Sequence, residues 1–382
     1  MLDTDRVSSP ESPRDTRALS DEERLRRFGE ELDALRRRTL DEVGAEDVEH
    51  VRGLRRLSRR LKVLGRVLIH VSPEPLSFLA GVTSLWIHRQ LEALEIGHPV
   101  LHGAYDRIEG AEDLSSRTFR WETLMDEEAW RVTHNAKHHG YTNVAGKDPD
   151  LHWGPVRLTE ETPHRTMHFF QVPFSFGVLS PNLGLLMAWH VTGLDELYFG
   201  AGRPKDLGLM AGGERDAWRR ALRKYAPYLF WNYVFFPALA GPMFWKVMLG
   251  NYLAETMRDA YTAATIYCNH VGEDVESYAD EAGPPRGRGA WYARQVASTN
   301  NLEVSRPLSI LCGGLDRHIE HHLFPTLPPE RLRRMAPEVR AICERYGVSY
   351  KTDTWGRTLK KALTRVASLA RPGPRDRRRA AA

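Results

Sequence analysis

The chain has 382 residues, a length that fits one large domain or two ordinary ones. Its formal net charge of +4 at pH 7 is too small to indicate nucleic acid as a partner. The mean hydropathy is negative, which by itself favours a soluble protein, but the polar residues are concentrated at the two ends and in one middle stretch. The three cysteines, Cys268, Cys312 and Cys343, match the spacing of neither a redox motif nor a zinc site. We therefore expect them to be reduced thiols in a protein that faces the cytoplasm.

Residues 1–62 form a polar N-terminal region that is almost free of aromatic side chains. We expect its first dozen residues to be disordered. Within 21–62, apolar residues recur at helical spacing, which predicts an amphipathic helix that lies on the membrane surface or on the protein. These apolar positions are Leu25, Phe28, Leu32, Leu35, Leu40 and Val43. No apolar core of a cleavable signal peptide is visible, so an internal segment is expected to direct membrane insertion.

Three apolar regions follow, at residues 63–97, 167–190 and 228–249, and they predict a mainly α-helical integral membrane protein. The first two are interrupted, by Ser72-Pro73-Glu74-Pro75 and by Ser180-Pro181-Asn182. Neither half of the first region reaches the roughly 20 apolar residues of a simple span. The third region is the most convincing span, because the aromatic residues at its start are typical of an interfacial belt.

Basic residues beside these regions bear on the topology. The cluster between Arg52 and Arg66 is typical of the cytoplasmic flank of a membrane span. The linker 201–224 is also basic, and if it joined two full spans it would lie outside the cell, against the positive-inside tendency. Either the second and third regions are short hairpins, or the charge rule fails here. We expect the basic residues 371–382 to be disordered.

The spacing of the histidines is the most specific pattern in the sequence. Residues four apart on a helix share a face, and residues three apart nearly do, so each of three histidine clusters can direct imidazoles at one point. A single pair of this kind is usually a surface accident, but three clusters make packed or solvated histidines the weaker interpretation. The clustered and neighbouring histidines are His98, His102, His134, His138, His139, His270, His318, His321 and His322.

Nine imidazoles predict two metal ions. Neutral imidazole binds zinc, copper, iron and nickel, and one zinc takes at most four protein ligands. Shared between two ions, nine imidazoles leave four or five each with room for water or dioxygen, which fits non-haem iron best. His270 is isolated after an apolar helix, and a packed or interfacial role is its alternative interpretation.

These residues resemble the three boxes of the membrane fatty acid desaturase superfamily, H-x-x-x-H, H-x-x-x-H-H and (H/Q)-x-x-H-H. The similar stretches are Gly97 to Asp106, Trp130 to Asp150 and His318 to Pro328. The resemblance covers residues 61–351, and the subgroup that the chain most resembles is the bacterial stearoyl-CoA and linoleoyl-CoA desaturase-like one. His318 departs from the glutamine often found at that position in the subgroup, whereas His270 matches the extra histidine ligand that precedes the third box.

The resemblance implies an integral membrane helical fold with a cytoplasmic helical cap that holds a di-iron site. It implies a desaturase domain at 63–355 and a basic C-terminal tail at 356–382. The implied reaction is oxygen-dependent introduction of a cis double bond into a long-chain acyl-CoA or acyl-lipid, mid-chain such as delta-9, with two iron ions and O2 as co-substrate. The chain has no His-Pro-Gly-Gly haem motif, so a separate electron donor is expected, a ferredoxin, a cytochrome b-type protein or a flavin reductase. The implied location is the cytoplasmic membrane, with membrane lipid as a partner and the active site facing the cytoplasm.

Several other positions carry weaker hypotheses. Carboxylates near the boxes are candidates for orienting ligand imidazoles, although a solvated role is the commoner one: Asp106, Asp148, Glu273, Asp316 and Glu320. Three tryptophans could line a kinked acyl tunnel or its mouth, or anchor the membrane interface: Trp130, Trp153 and Trp291. Three basic residues could meet a CoA phosphate or an acidic electron carrier, or form a wet helix face: Arg331, Arg333 and Arg334.

Two alternative functions stay open from the residues alone. The same metal centre could hydroxylate a lipid instead of desaturating it. The chain could also be a non-catalytic membrane protein that binds iron or zinc. A soluble carboxylate-type di-iron protein is disfavoured, because its Glu-x-x-His motifs occur here only at Glu95 to His98 and at Glu161 to His164, the second of which contains Pro163.

Overall fold

A computed structural model describes residues 19–199, 207–210, 212–280 and 283–381. The prediction of a mainly helical chain is confirmed. The first part contains α1 Asp21–Glu42, α2 Ala45–Val71, α3 Pro75–Gln90, α4 His98–Leu101, α5 Glu127–Trp130, α6 Gln171–Phe174, α7 Leu183–Thr192 and α8 Glu196–Phe199. The second part contains α9 Glu214–Leu229, α10 Phe236–Leu239, α11 Phe244–His270, α12 Arg288–Ala297, α13 Arg306–Leu311, α14 His318–Leu323, α15 Pro329–Arg345, α16 Trp355–Leu369 and α17 Pro374–Ala381.

Two small sheets complete the described structure. Strands β1 His152–Trp153 and β2 Val156–Arg157 pair antiparallel. Strands β3 Asn301–Glu303 and β4 Thr352–Thr354 pair in parallel, with Leu302 opposite Asp353. The first dozen residues, which we expect to be disordered, lie outside the described residues. The first basic positions of the 201–224 linker also lie outside them.

Helices α2 and α3 form the first hairpin, which turns at the predicted break after Val71. The Glu74 carboxylate accepts hydrogen bonds from the backbone N–H groups of Leu76 (2.6 Å) and Ser77 (2.7 Å), and Pro75 occupies the first helical position. Both features start a helix, because they satisfy or remove N–H groups that lack helical partners. The two helices pack closely at Gly65, where a Cβ atom would lie 2.8 Å from the Gly81 carbonyl oxygen.

The second hairpin contains the third predicted apolar region. Its first arm runs through α9, the π-helical segment Phe230–Phe235 and α10, and its second arm is α11. The chain reverses at Gly241–Met243, where Gly241 has a φ of 53° that favours glycine. The interpretation of residues 228–249 as one simple span is therefore wrong, because Gly241 and Pro242 turn the chain in its middle. The alternative of a short hairpin holds for this region.

The second apolar region is helical from Thr166 to Thr192, and its predicted interruption at Ser180–Asn182 is a 3-10 turn within that stretch. Among the described residues this is the one helical stretch long and apolar enough, by length and composition alone, to cross a membrane.

The two hairpins pack against each other, with α3 beside α11. Five apolar side chains are buried between them: Ile69, Val82, Leu85, Val247 and Ala254. Other large apolar side chains on the same hairpins face outward and are exposed: Val63, Leu64, Val67, Val71, Leu76, Leu79, Phe230, Trp231, Val234, Leu239, Met243, Trp245 and Leu249. The hairpins thus have an apolar outer surface as well as an apolar core.

Helices α1, α12, α14 and α15 pack together as a cap. The cap lies at the end of the hairpins opposite their turns, where box one follows α3 and His270 ends α11. The predicted amphipathic helix is α1, and it lies on the protein, where Phe28, Leu32 and Leu35 pack in one cluster with Tyr292 and Phe324. A second helix, α2, begins within the predicted amphipathic stretch and continues past residue 62 into the first hairpin.

The C-terminal residues also pack on the rest of the chain. Ala362 and Val366 of α16 are buried against Tyr267. In α17, the Asp376 carboxylate accepts hydrogen bonds from Arg157 Nη2 (3.0 Å) and from the His164 backbone N–H (2.9 Å). The expectation of a disordered 371–382 is wrong over α17, because these distant partners order an arginine-rich segment whose local composition favours disorder.

Candidate metal centre

All nine candidate histidines converge at one place, where the cap meets α3 and α11. Four of them, His98, His102, His134 and His321, have ring nitrogens within 4.8 Å of one another. A second group within the same limit consists of His138, His270 and His322. His139 and His318 extend these groups, because their Nε2 atoms lie 3.2 Å from His321 Nε2 and 2.7 Å from His270 Nε2, respectively.

Local backbone geometry explains how box two contributes to both groups. Residues Arg131–His138 are π-helical, and the His139 N–H donates to the carbonyl oxygen of His134 five residues earlier. The wider π-helical turn lets His134, His138 and His139 all face inward. A second π-helical segment, Leu91–Gly97, leads directly into box one.

The distances between imidazoles fit metal ligation. His98 Nε2 lies 3.2 Å from His134 Nε2, and both belong to the first group. Two nitrogens that each bind one ion at about 2.1 Å, at an angle of about 100°, lie about 3.2 Å apart. Several buried ring nitrogens have no hydrogen-bond partner among the described residues, including His102 Nε2, His139 Nδ1 and His322 Nε2. This donor set fits metal binding by imidazole nitrogens.

Hydrogen bonds behind the candidate ligands fix the direction of two imidazoles. His138 Nδ1 lies 3.0 and 3.2 Å from the two carboxylate oxygens of Asp148. His322 Nδ1 lies 3.0 Å from Gln295 Oε1 and 3.2 Å from Thr142 Oγ1. Such contacts set the tautomer and leave Nε2 free to bind a metal.

Burial keeps most of these imidazoles neutral. Burial lowers the pKa of His98 and of His270 to about 3, and it lowers the pKa of His134 and His321 well below the ordinary value. For His138 burial also lowers the pKa, but the carboxylates of Asp148 and Asp150 outweigh it and raise the pKa to about 9. A metal ion binds the neutral imidazole ring. The histidines whose pKa is lowered are therefore already in the form that binds a metal ion, whereas at His138 the ion would displace a proton.

Asn143 joins box two to the end of α11. Its backbone has a φ of 56°, which is uncommon for a residue other than glycine. Its side-chain amide donates to the carbonyl oxygens of His270 (3.3 Å), Glu276 (3.0 Å) and Ser298 (3.2 Å). These contacts hold His270 next to His138.

Sequence reasoning missed Asn143, Gln295 and Thr142 as supports of the centre. Asn143 and Thr142 lie in the Thr-Asn tail of box two, which gave a weak signal. Gln295 lies in α12, where no local pattern marks it.

The five carboxylates that are candidates for orienting ligand imidazoles differ in what they contact. Asp148 contacts a candidate ligand, as described. Asp106 binds Ser116, Asp316 binds Ser309, and Glu320 binds Asn301 and Tyr350. Glu273 is exposed. The hypothesis of an imidazole-orienting role is therefore not supported for these four, because their side chains are turned toward other elements or toward solvent.

The basic residues after box three have structural partners. Arg331 binds Asp47, with Nε 2.9 Å from Oδ1, and Arg333 binds both carboxylate oxygens of Glu95 at 2.8 and 2.7 Å. The hypothesis that Arg331 and Arg333 meet a CoA phosphate or an electron carrier is wrong, because both side chains are buried in these ion pairs. Arg334 is half exposed.

Two small cavities adjoin the histidines. One of about 80 Å³ is lined by His98, His134 and His318 together with apolar side chains such as Leu183 and Ile266. A second of about 40 Å³ shares His138, Leu183 and Ile266 with the first. Trp130 lines the first cavity and stacks on His134, and Trp153 lines the second. Trp291 packs instead beside the cluster that contains α1.

Comparisons with known proteins agree with this arrangement. The family model described as fatty acid desaturase matches residues 73–354. A Mycobacterium tuberculosis protein called NADPH-dependent stearoyl-CoA 9-desaturase is 31% identical over 353 residues, which cover 90% of this chain and 79% of that protein. The Arabidopsis thaliana delta(8)-fatty-acid desaturase 1 is 28% identical over 75% of this chain and 64% of its own length. The sn-1 linoleoyl-lipid 6-desaturase of Synechocystis is 25% identical over 72% of this chain and 75% of its own length.

Proposed function

Because the chain belongs to the fatty acid desaturase family and is an enzyme of that kind, we propose that it introduces a cis double bond into a long-chain acyl group with two non-haem irons and O2. The observation that carries this proposal is the convergence of nine imidazoles in two adjoining groups. We propose residues 63–355 as the desaturase domain, which the family match at 73–354 supports.

We assign five ligands to one ion and four to the other. The first set is His98, His102, His134, His139 and His321, and the second is His138, His270, His318 and His322. When bound, the irons supply the activation of oxygen. The chain keeps the imidazoles neutral, aims them through Asp148 and Gln295, and surrounds them with apolar side chains that exclude water.

The apolar cavities beside the ligands support an acyl chain as the substrate. Apolar side chains such as Leu183, Met187 and Ile266 line both cavities, which pass directly next to His138 and His270. Asp150 also lines both cavities, and Arg258 and Asp259, which form an ion pair with each other, line the larger one. We propose a long-chain acyl-CoA oxidised at mid-chain, such as delta-9, which the name of the mycobacterial relative supports. The same name suggests that reducing equivalents come from NADPH, and we propose that a separate protein, a ferredoxin, cytochrome b-type protein or flavin reductase, delivers them to the irons.

We also propose that the two hairpins are embedded in the cytoplasmic membrane. Exposed apolar side chains on their outer surface, such as Leu76 and Trp245, would otherwise face water. The basic residues of α9 lie at the cap end, where Lys224 Nζ is 2.6 Å from Glu127 Oε1. Since both hairpins begin and end at the cap, this arrangement satisfies the positive-inside tendency with the active site facing the cytoplasm.

Product analysis tests the reaction. A host expressing the full chain with a reductase is compared with hosts expressing His138→Ala/His139→Ala and His50→Ala, and total fatty acids are measured by gas chromatography with mass spectrometry. His50 is exposed and lies outside the centre, so we expect a new unsaturated species with the wild type and His50→Ala only. A hydroxylated product would replace the proposal with a lipid hydroxylase, and three identical profiles would contradict both.

A further inference from the structure

A cavity of about 570 Å³ lies between α2, α3 and the first arm of the second hairpin. It is separate from the cavities that touch the histidines, although Trp121 lines both this cavity and the one of about 80 Å³. None of the nine candidate ligands lines it. Metal binding by these histidines therefore does not explain which side chains line this cavity.

The lining is strongly basic. Six cationic side chains line the cavity, Lys62, Arg66, Arg89, Arg120, Arg223 and Lys224, against the two acidic side chains of Glu122 and Glu127. Several of the cations have acidic partners: Lys62 binds Glu122, Arg89 binds Glu255 at 2.9 Å, and Lys224 binds Glu127. In the described part of the chain, Arg66 and Arg120 have no carboxylate within ion-pair distance.

Arg66 is the most informative of these side chains. Its Nη2 donates to Asn232 Oδ1 at 3.0 Å, and its guanidinium carbon lies 3.7 Å from the centre of the Phe236 ring. Its Nε and Nη1 atoms are buried, and no described residue accepts a hydrogen bond from either. A buried cationic donor without an acceptor is unfavourable, so this position calls for an anion.

The other side of the cavity is apolar. Leu85, Trp231 and Phe236 line it, and exposed apolar side chains follow on the same helices, at Val67 and Phe230. The cavity therefore has a cationic part next to the outer surface that we propose to face lipid. A phosphate with an attached apolar chain combines the two required chemistries.

We propose that this cavity binds the phosphate group of an amphiphile, with Arg66 as its buried contact and Arg120 at its rim. The apolar part of the amphiphile lies against Trp231 and Phe236. A bilayer phospholipid and the phosphate-bearing carrier of an acyl donor both offer this chemistry. The proposal rests on the membrane embedding of the hairpins stated above, and it adds a binding site that the metal centre does not need.

Binding of dioleoyl phosphatidylglycerol tests the site without turnover. The full chain with its metals, in a neutral detergent, is titrated with this lipid, and lipid adducts are counted by native mass spectrometry. We expect Arg66→Gln to bind the lipid about tenfold more weakly than the wild type, because one charge-assisted contact is lost. Arg120 is exposed, so Arg120→Gln tests the site even if Arg66→Gln misfolds. We expect Arg120→Gln to weaken lipid binding about threefold.

Arg60→Gln is the matched control, because Arg60 is exposed on the same helix and does not line the cavity. Equal binding by wild type, Arg66→Gln and Arg120→Gln would overturn the proposal, as would equal losses in all three variants. Tight binding of dioleoylglycerol, which has no phosphate, would also overturn it. Added CoA distinguishes the sources, since displacement of the lipid identifies an acyl-donor carrier and no displacement identifies a bilayer phospholipid. Iron content and acyl products are measured separately on the same preparations, so a failure of the proposed reaction is recognised independently.

Discussion

The carboxylate of Asp148 organises box two at the level of single residues. Its oxygens lie near His138 Nδ1 and accept hydrogen bonds from the backbone N–H groups of Asn143 (2.8 Å) and Asp150 (2.9 Å). Burial alone would raise the pKa of Asp148, but His138 and the Asn143 N–H lower it, so the group is an anion. One side chain therefore both orients a proposed ligand and closes the turn that follows it.

Asp148→Asn removes the negative charge while keeping the shape. We expect iron affinity and desaturase rate to fall about 10- to 100-fold, which is typical when a partner behind a metal ligand is lost. Iron retained against a competing chelator, together with the product rate, measures the effect. Asp106→Asn is the matched control, because Asp106 follows box one but binds Ser116. Equal iron retention by the two variants would contradict a role of Asp148 in supporting the proposed ligand His138.

Ion pairs between distant elements hold the helices that carry the boxes. Arg333 of α15 binds Glu95 of the π-helical segment before box one, and both side chains are buried. Arg331 joins the same helix to Asp47 at the start of α2. Helix α15 thus contributes to the centre by fixing the positions of two other elements.

Breaking the Arg333 pair should destabilise the protein, because Glu95 then remains buried without its partner. We expect Arg333→Gln to lower the free energy of unfolding by about 3 kcal/mol, and Arg333→Gln/Glu95→Gln to recover part of the loss. Arg334→Gln, one residue further on and half exposed, should change it by less than about 1 kcal/mol. Thermal unfolding of the three variants measures this, and equal midpoints for Arg333→Gln and Arg334→Gln would contradict it.

The whole molecule has two surfaces of different chemistry. The hairpins present apolar side chains outward on α3 and on both arms of the second hairpin, whereas the cap presents ion pairs such as Arg38 with Glu338. The candidate metal centre lies where the two parts meet, and a basic cavity opens beside it. This division supports the proposal that the hairpins lie in lipid.

Cysteine labelling in native membranes tests this division. The native cysteines are buried, so introduced ones report local access. We expect Leu79→Cys, on the outer surface of α3, to resist a water-soluble maleimide that labels Arg56→Cys on the cap side of α2, because lipid covers only the former. Both should label after denaturation in detergent. Rapid labelling of Leu79→Cys in intact membranes would argue against embedding of this hairpin.

Local spacing in the sequence was sufficient to predict helices and the histidines that converge, because residues three or four apart on a helix share a face whatever surrounds them. Local composition also predicted the interruption at which the first hairpin turns. The family resemblance followed from the same boxes. The sequence did not show which histidines share a group, since that depends on π-helical turns and on Asn143 contacting the end of α11. It also suggested free cations at Arg331 and Arg333 and disorder near Asp376, where the structure has buried ion pairs. Those partners lie more than 200 residues away in the chain, so only tertiary packing decides which charges meet and which stay available to bind a ligand.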